Sequence, residues 1–223
     1  MKKQMTSFPA LLKYSLLLPM LSVFAVGVPQ AFADVGDNLQ AAIQANLPEG
    51  EDIHQFLQIS QTQAWISTTY HTPDALQIGT CSLSYVKIDA SKGSPRLSNS
   101  LSFLANGEAN KLQAFNQTWS LPVESEGQMT LRNTKYKQTF GMMALSPYTI
   151  EGTVETQGME NLLNALGKRP EVWLSFSSGE TQSLPTIRLV PLINDFKKCA
   201  SSNHFGDFGG PLDPRANLGD NPF

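Results

Sequence analysis

The sequence has few of the residues that usually mark a metal site or a catalytic site. It contains three histidines and two cysteines in 223 residues, and no histidine lies three or four positions from another. A zinc site needs three or four converging nitrogen, sulfur or carboxylate ligands, so we expect no metal site. Gly-x-Ser-x-Gly, GxGxxG and P-loop motifs are also missing. The sequence therefore indicates no catalytic residue and no cofactor.

Acidic residues are missing from the first 33 positions, where the sequence has three lysines. An apolar run from Tyr14 to Val28 leads to Ala31-Phe32-Ala33, and the first acidic residue, Asp34, follows. This order of basic, apolar and small residues is typical of a secretory signal peptide. A membrane anchor is the alternative, but the run of about 15 residues is shorter than the roughly 20 that span a bilayer. We therefore predict that residues 1–33 are a signal peptide.

Cleavage after Ala33 would leave one domain in a bacterial periplasm or outside the cell. The remaining 190 residues can bury a core of their own. Cleavage removes three lysines and no acidic residue, so the formal charge changes from −3 to −6. A negative chain does not attract phosphates, so we expect no nucleic-acid partner. No later apolar run is long enough to cross a bilayer, so we expect no membrane span after cleavage.

Both cysteines, Cys81 and Cys199, lie in the part that remains after cleavage. Two distant cysteines in an exported protein are most simply explained by one disulfide bond. Neither belongs to a CxxC or a Cys/His nucleophile pattern. Two free buried thiols are the alternative. We predict the disulfide Cys81–Cys199.

Hydrophobic periodicity predicts a mainly β domain over residues 34–200, an antiparallel sandwich or barrel with three short helices. The helices are predicted at residues 35–47, at residues 158–167 and from Pro191 to Cys199. Asn106-Gly107 is the clearest hairpin turn, since both residues tolerate a positive φ. The predicted strands are Gln63–His71, Cys81–Asp89, Leu97–Leu104, Lys111–Leu121, Gln128–Asn133, Gln138–Leu145, Tyr148–Thr156, Glu171–Ser177 and Leu184–Val190.

The last 23 residues, 201–223, are rich in Gly, Pro, Asn and Asp. This composition predicts a disordered tail. Its deletion should then leave the stability of the domain almost unchanged. Docking of Phe205, Phe208 and Phe223 on a partner is the alternative.

Three tryptophans, Trp65, Trp119 and Trp173, are the remaining candidates for a binding site, and each falls inside a predicted strand. Exposed tryptophans often lie at the centre of binding surfaces. Core packing is the alternative for each of them. We keep all three as possible binding residues.

The segment from Thr149 to Cys199 has a distinctive order of elements. It reads TIEGTVETQGMENLLNALGKRPEVWLSFSSG and then, after three residues, SLPTIRLVPLINDFKKC. The strand, the short helix ending at Gly167, the next strand and the final strand and helix closing on a cysteine resemble the invasion-associated locus B family of periplasmic proteins. The chain departs from that family in its two cysteines, its added N-terminal helix and Pro191 in place of an expected glycine. The resemblance implies a small, non-enzymatic, disulfide-bearing β-rich protein of the bacterial envelope.

We therefore expect an exported, non-enzymatic protein with a binding or assembly role in the envelope, accessory to a secretion or surface system. Its expected partner is another envelope or surface protein. One alternative is a periplasmic hydrolase acting on cell-wall or glycan substrates through carboxylates that the sequence does not mark. A released inhibitor or effector acting on other cells is another. A cleft with two carboxylates would favour the hydrolase, whereas a flat apolar patch would favour binding.

Overall fold

The computed structural model describes residues 34–72, 77–91 and 94–216. The predicted signal peptide, residues 1–33, lies outside the described residues. The last seven residues of the predicted tail, 217–223, do as well.

Ten strands form one antiparallel sheet, which confirms the predicted mainly β class. Its spatial order is β1-β2-β3-β4-β5-β8-β7-β6-β9-β10. The two edge strands are therefore β1 and β10, and the sheet is not closed by pairing between them. The strands are β1 Glu51–Gln58, β2 Gln63–His71, β3 Ile78–Asp89, β4 Arg96–Asn106, β5 Asn110–Asn116, β6 Glu126–Arg132, β7 Lys137–Ser146, β8 Thr149–Val154, β9 Glu171–Phe176 and β10 Thr181–Pro185.

The sequence-based strand assignment is wrong at both edges of the sheet. No strand was predicted over β1, since all eight of its side chains are at least partly exposed and its sequence reads as polar. The predicted strand Leu184–Val190 overlaps only the last two residues of β10. The alternation of apolar residues from Leu184 to Val190 is typical of a strand, but Arg188 has a φ of 60°, which interrupts an extended backbone. The predicted strand Lys111–Leu121 also ends early, at Asn116.

The turn predicted at Asn106-Gly107 is present, but its mechanism differs from the prediction. Among the described residues with positive φ, neither of these two occurs. Instead, the Asn106 side-chain oxygen accepts hydrogen bonds from the backbone N–H groups of Glu108 and Ala109, both at 2.9 Å. The turn therefore depends on the asparagine side chain.

Inward-facing residues on neighbouring strands line up in rows across the sheet. One row consists of Trp65, Tyr85, Leu101 and Ala114, which pair in register across β2, β3, β4 and β5. All four are at most 2% exposed. The Trp65 ring lies 5.5 Å from the Tyr85 ring between centroids, and its indole N–H donates to the Pro185 carbonyl oxygen at 2.6 Å. At this level the inner face of the sheet is a packed core.

The helices α2 (Thr156–Leu166) and α3 (Val190–Ser202) pack on this core. Buried residues of α3 include Leu192, Ile193 and Phe196, as the predicted apolar stripe requires. Its Cys199 is bonded to Cys81 of β3, with 6.0 Å between the two Cα atoms. This confirms the predicted disulfide, which joins the last helix to the first half of the sheet.

The first helix, α1 (Asp34–Gln44), lies on the other face of the sheet. It confirms the helix predicted in this segment, although it ends at Gln44. Leu39 and Ile43 are buried there and form a second, smaller core with apolar residues of β2 and β3. Beyond the helix, the Asn46 side-chain oxygen accepts a hydrogen bond from the backbone N–H of Leu97 at 3.2 Å. The helix is thus attached to β4 as well.

The prediction of a disordered tail is wrong for residues 201–216. Phe208 is 1% exposed and stacks on Phe196, with ring centroids 5.6 Å apart and the planes nearly parallel. Leu212 exchanges two hydrogen bonds with the Asn194 side chain, at 2.9 and 2.8 Å. The average composition of the segment suggested disorder, but a few apolar side chains are enough to anchor it to the core.

A buried lysine also holds this segment. Lys197 on α3 is 5% exposed, and its ammonium group donates to the Asn164 side-chain oxygen at 3.3 Å and to the Gly210 carbonyl oxygen at 3.1 Å. Burial lowers the pKa of Lys197, and the nearby charges of Glu160 and Asp207 partly offset this effect. The lysine thus links α2, α3 and the C-terminal segment.

Burial raises the pKa of Tyr136 to about 12. As the pH rises, the unfolded chain loses the Tyr136 phenolic proton before the folded protein does. The contribution of Tyr136 to the free energy of unfolding is therefore complete below pH 10 and is lost as the pH rises towards 12. We predict that Tyr136→Phe makes the free energy of unfolding fall less steeply over this range, measured by denaturant unfolding. Tyr148→Phe, at an exposed tyrosine, is the control and should keep the wild-type slope. A wild-type slope in Tyr136→Phe would contradict the prediction.

Candidate binding site

The inner face of the sheet becomes polar at Lys87, six residues after Cys81 along β3. In an extended strand this step is about 20 Å. Gln63, Lys87, Asn99 and Asn116 pair in register across β2, β3, β4 and β5. We call these four side chains the polar row. Since neighbouring strands lie 4.7–4.9 Å apart, the row extends over about 15 Å.

The polar row forms one wall of a groove, and β10 contributes to the other. Together they enclose about 790 Å³, a space that we call the mouth groove. Gln182 of β10 lines the groove, and its side chain hydrogen-bonds Tyr85. Burial raises the pKa of Tyr85, and this hydrogen bond opposes the rise. Most of the lining side chains are hydroxyls or amides, and the charged ones are Lys87, Asp89 and Glu180.

A smaller and more apolar space of about 240 Å³, the side pocket, lies beside the groove. Its walls include Trp119, Met142, Ile150 and Phe176. The Trp119 ring meets the Phe176 ring edge to face, with 5.2 Å between the centroids. This contact fixes the orientation of a half-buried tryptophan at the boundary of the pocket.

Glu180 lines both the mouth groove and the side pocket. One carboxylate oxygen accepts the Trp119 indole N–H at 3.0 Å, and the other accepts the Asn116 side-chain amide at 3.4 Å. The preceding turn of the β9–β10 hairpin contains Gly179 with a φ of 86°, a conformation that favours glycine. The turn therefore places the carboxylate between the two spaces.

The end of β5 places Trp119 at this boundary. The Asn116 side-chain oxygen accepts hydrogen bonds from the Thr118 backbone N–H at 2.9 Å and from the Thr118 hydroxyl at 2.8 Å. Asparagine side chains commonly form such turns with the backbone two residues on. Asn116 thus belongs to the polar row and also stops the strand, and of the next residues Gln117 and Thr118 line the groove while Trp119 lines the pocket.

The structure places the three predicted tryptophans in three different settings. Trp65 is fully buried in the core, so the expectation of an exposed platform is not met there. Trp173 is partly exposed and lies under the Arg132 guanidinium, 5.9 Å from the ring centroid. Trp119 lines the side pocket, next to the mouth groove.

The sequence analysis missed the polar row. Its members are four ordinary polar residues spread over 54 positions from Gln63 to Asn116, and no two are neighbours in sequence. One signal was available: each lies two positions from an apolar inner-face residue, such as Lys87 after Tyr85. Strand register, which the sequence alone did not provide, is needed to bring the four together.

Within the described ranges, no group of three or more His, Cys, Asp and Glu side chains is arranged to hold a metal ion. The exposed His54 instead contacts the Thr69 hydroxyl at 2.8 Å. No helix in the described part of the chain is long and apolar enough to cross a membrane. Comparisons with protein-family models, with curated proteins and with solved structures found no match to this chain.

Proposed function

We propose that this protein is an exported, non-enzymatic binding protein of the bacterial envelope and that its ligand occupies the mouth groove. The observation that carries the proposal is the polar row, which opens the inner face of the sheet to a groove of about 790 Å³. Ligand sites commonly occur at the mouths of barrel-like sheets. The groove has the volume of a small-molecule site, and its walls carry many hydrogen-bonding groups.

The rigidity of the groove supports a binding role. Gln63, Lys87 and Asn99 extend from strands that are paired on both sides. Side chains on paired strands are held in place more firmly than those on loops. Hydrogen bonds to Trp119 and Asn116 also hold Glu180 in place. Such preorganisation reduces the entropy lost on binding.

Export is supported by the disulfide bond, because such bonds persist mainly in oxidising compartments. The predicted signal peptide and the resemblance to the invasion-associated locus B family point the same way. An accessory role in a secretion or surface system, with another envelope or surface protein as partner, remains part of the proposal.

The proposal can be tested by hydrogen exchange followed by mass spectrometry, with and without envelope extract from the producing cells. We expect slower exchange concentrated in the segments 85–91, 98–99 and 180–183, which contain residues that line the groove. Gln182→Arg should abolish this protection by filling the groove with a larger, charged side chain. The control, Gln113→Arg, changes a glutamine of β5 that does not line the groove. Protection elsewhere only, or none, would contradict the proposal.

A hydrolase acting on glycans is the second candidate function. The observation in its favour is that two carboxylates, Asp89 and Glu180, line the same groove, and glycoside hydrolases use a pair of carboxylates. Both oxygens of Glu180 already accept hydrogen bonds from neighbouring side chains, which fits a positioning role as well. Cleavage of a glycan by the wild type and its loss in Glu180→Gln would favour the hydrolase over the binding protein.

A further inference from the structure

We propose that the ligand of the mouth groove is a short, uncharged oligosaccharide with an acetamido or similar apolar substituent that enters the side pocket. This inference rests on the proposed function and specifies the chemistry of the ligand. It follows from the side chains of the groove, the adjoining side pocket and the shape of the nearby sheet edge.

The chemistry of the groove matches a ligand with many hydroxyl groups. Amide side chains of Gln63, Asn99 and Gln182 each present donors and an acceptor, and several serine and threonine hydroxyls lie beside them. A sugar hydroxyl also donates and accepts, so it can satisfy both kinds of group. An apolar ligand would bury these groups without hydrogen-bond partners, which is unfavourable.

The charges of the groove favour a neutral ligand. One cationic residue, Lys87, and two acidic residues, Asp89 and Glu180, line it, so its formal charge is −1. A polyanion such as a nucleic acid or a phosphorylated polymer would meet two carboxylates and a single ammonium group. Neutral sugars avoid this repulsion and can still hydrogen-bond to the charged side chains.

The side pocket adds an apolar requirement at one end of the ligand. Its volume is about 240 Å³. That is room for a small substituent such as an acetamido methyl group. Trp119 offers a rigid aromatic surface there, with its N–H already satisfied by Glu180. Sugars present apolar C–H groups as well as hydroxyls, so they suit a boundary between polar and apolar walls.

An extended peptide fits the site less well, because the β10 edge is a poor template for strand addition. The edge ends at Pro185, which has no N–H, and the Pro185 carbonyl oxygen already accepts the Trp65 indole N–H. The backbone N–H of Phe176 donates to the backbone carbonyl oxygen of Glu180 across the hairpin. Because hydrogen-bonded and non-hydrogen-bonded pairs alternate along an antiparallel ladder, the backbone N–H and C=O groups of Thr181 and Ser183 point away from β9. Two residues provide few hydrogen bonds for an added strand.

The length of the polar row points to an oligosaccharide in preference to a single sugar. Four side chains over about 15 Å can contact several consecutive rings. We therefore choose as probe the tetrasaccharide of β-1,4-linked N-acetylglucosamine. The disaccharide of the same series tests length, and cellotetraose, which has no acetamido group, tests the side pocket.

Binding would be measured by isothermal titration calorimetry, with tryptophan fluorescence as a second signal. We expect the acetylated tetrasaccharide to bind at least tenfold more tightly than either comparison sugar. Trp119→Ala and the double variant Asn99→Ala/Gln182→Ala should each weaken binding about tenfold or more. Trp173→Ala is the matched control, since Trp173 lies outside both spaces, and it should bind as the wild type does. Thermal unfolding of every variant identifies any that fail to fold.

Hydrogen exchange on the wild-type protein keeps the inference testable if a variant does not fold, because the tetrasaccharide should protect the segments 85–91, 98–99 and 180–183. If the tetrasaccharide does not bind but envelope extract protects these segments, the glycan inference is wrong and the proposed function stands. If neither protects them, both are wrong. Equal affinity for cellotetraose, or wild-type affinity in Trp119→Ala, would contradict the role of the side pocket. Protection by a peptide fraction alone would replace the glycan with a peptide.

Discussion

Replacing Phe208 with alanine should lower the free energy of unfolding by about 3–5 kcal/mol. The side chain is 1% exposed and stacks on Phe196 of α3 with ring centroids 5.6 Å apart. Its removal would leave a cavity between the C-terminal segment and the core, and the lost contacts would not be replaced. Denaturant unfolding followed by circular dichroism measures the change.

Two further variants show whether the loss arises from this contact. Val123→Ala, at a side chain that is 56% exposed, should change stability by less than about 0.5 kcal/mol. The effects of Phe196→Ala and Phe208→Ala should not add, since both remove the same stacking contact. If Phe208→Ala had wild-type stability, the C-terminal segment would not pack as described, and the composition-based prediction of a disordered tail would be right after all.

Breaking the disulfide should have a comparable effect. Cys81→Ser and Cys199→Ser should each lower the free energy of unfolding by about 2–5 kcal/mol. The bond closes a loop between residues 118 positions apart, so in the entropy model it strongly restricts the unfolded chain. Each serine would also place a hydroxyl where a sulfur now contacts apolar neighbours, which adds to the loss.

The disulfide prediction has its own internal control. The double variant should be little less stable than either single variant, because the first substitution already removes the bond. Protein oxidised in the producing cell should contain no reactive thiol when it is unfolded without a reductant. Two reactive thiols per chain, or fully additive effects of the substitutions, would show that the bond does not form.

The helices could be predicted from the sequence because each carries its own apolar periodicity. Leu39 and Ile43 show it in α1, and Leu192, Ile193 and Phe196 show it in α3; all five are buried. The strand β2 was predicted at both ends, since five of the six residues from Trp65 to Tyr70 are β-branched or aromatic and turn residues flank the strand. The edge strand β1 was missed because its own pattern is weak and its place depends on pairing with β2.

The candidate site could be predicted only in part. Trp119 was singled out as an aromatic residue, but nothing in the sequence distinguished it from Trp65 in the core or Trp173 beside Arg132. Which tryptophan faces a pocket depends on where its strand ends, and the Asn116 side chain ends β5 through its hydrogen bonds to Thr118. The partnership of Trp119 with Glu180 spans 61 residues, a separation that local pattern cannot bridge.

The sequence by itself determined the mainly β class, the three helices and the pairing of the only two cysteines. These properties depend on local periodicity or on simple counting, so they need no knowledge of which strands are neighbours. The tertiary structure decided the register that aligns Gln63, Lys87, Asn99 and Asn116, and the packing of Phe208 against α3. Both result from contacts between distant parts of the chain. A polar side chain lines a groove, and a glycine-rich segment becomes ordered, only when tertiary contacts place the facing surfaces next to them.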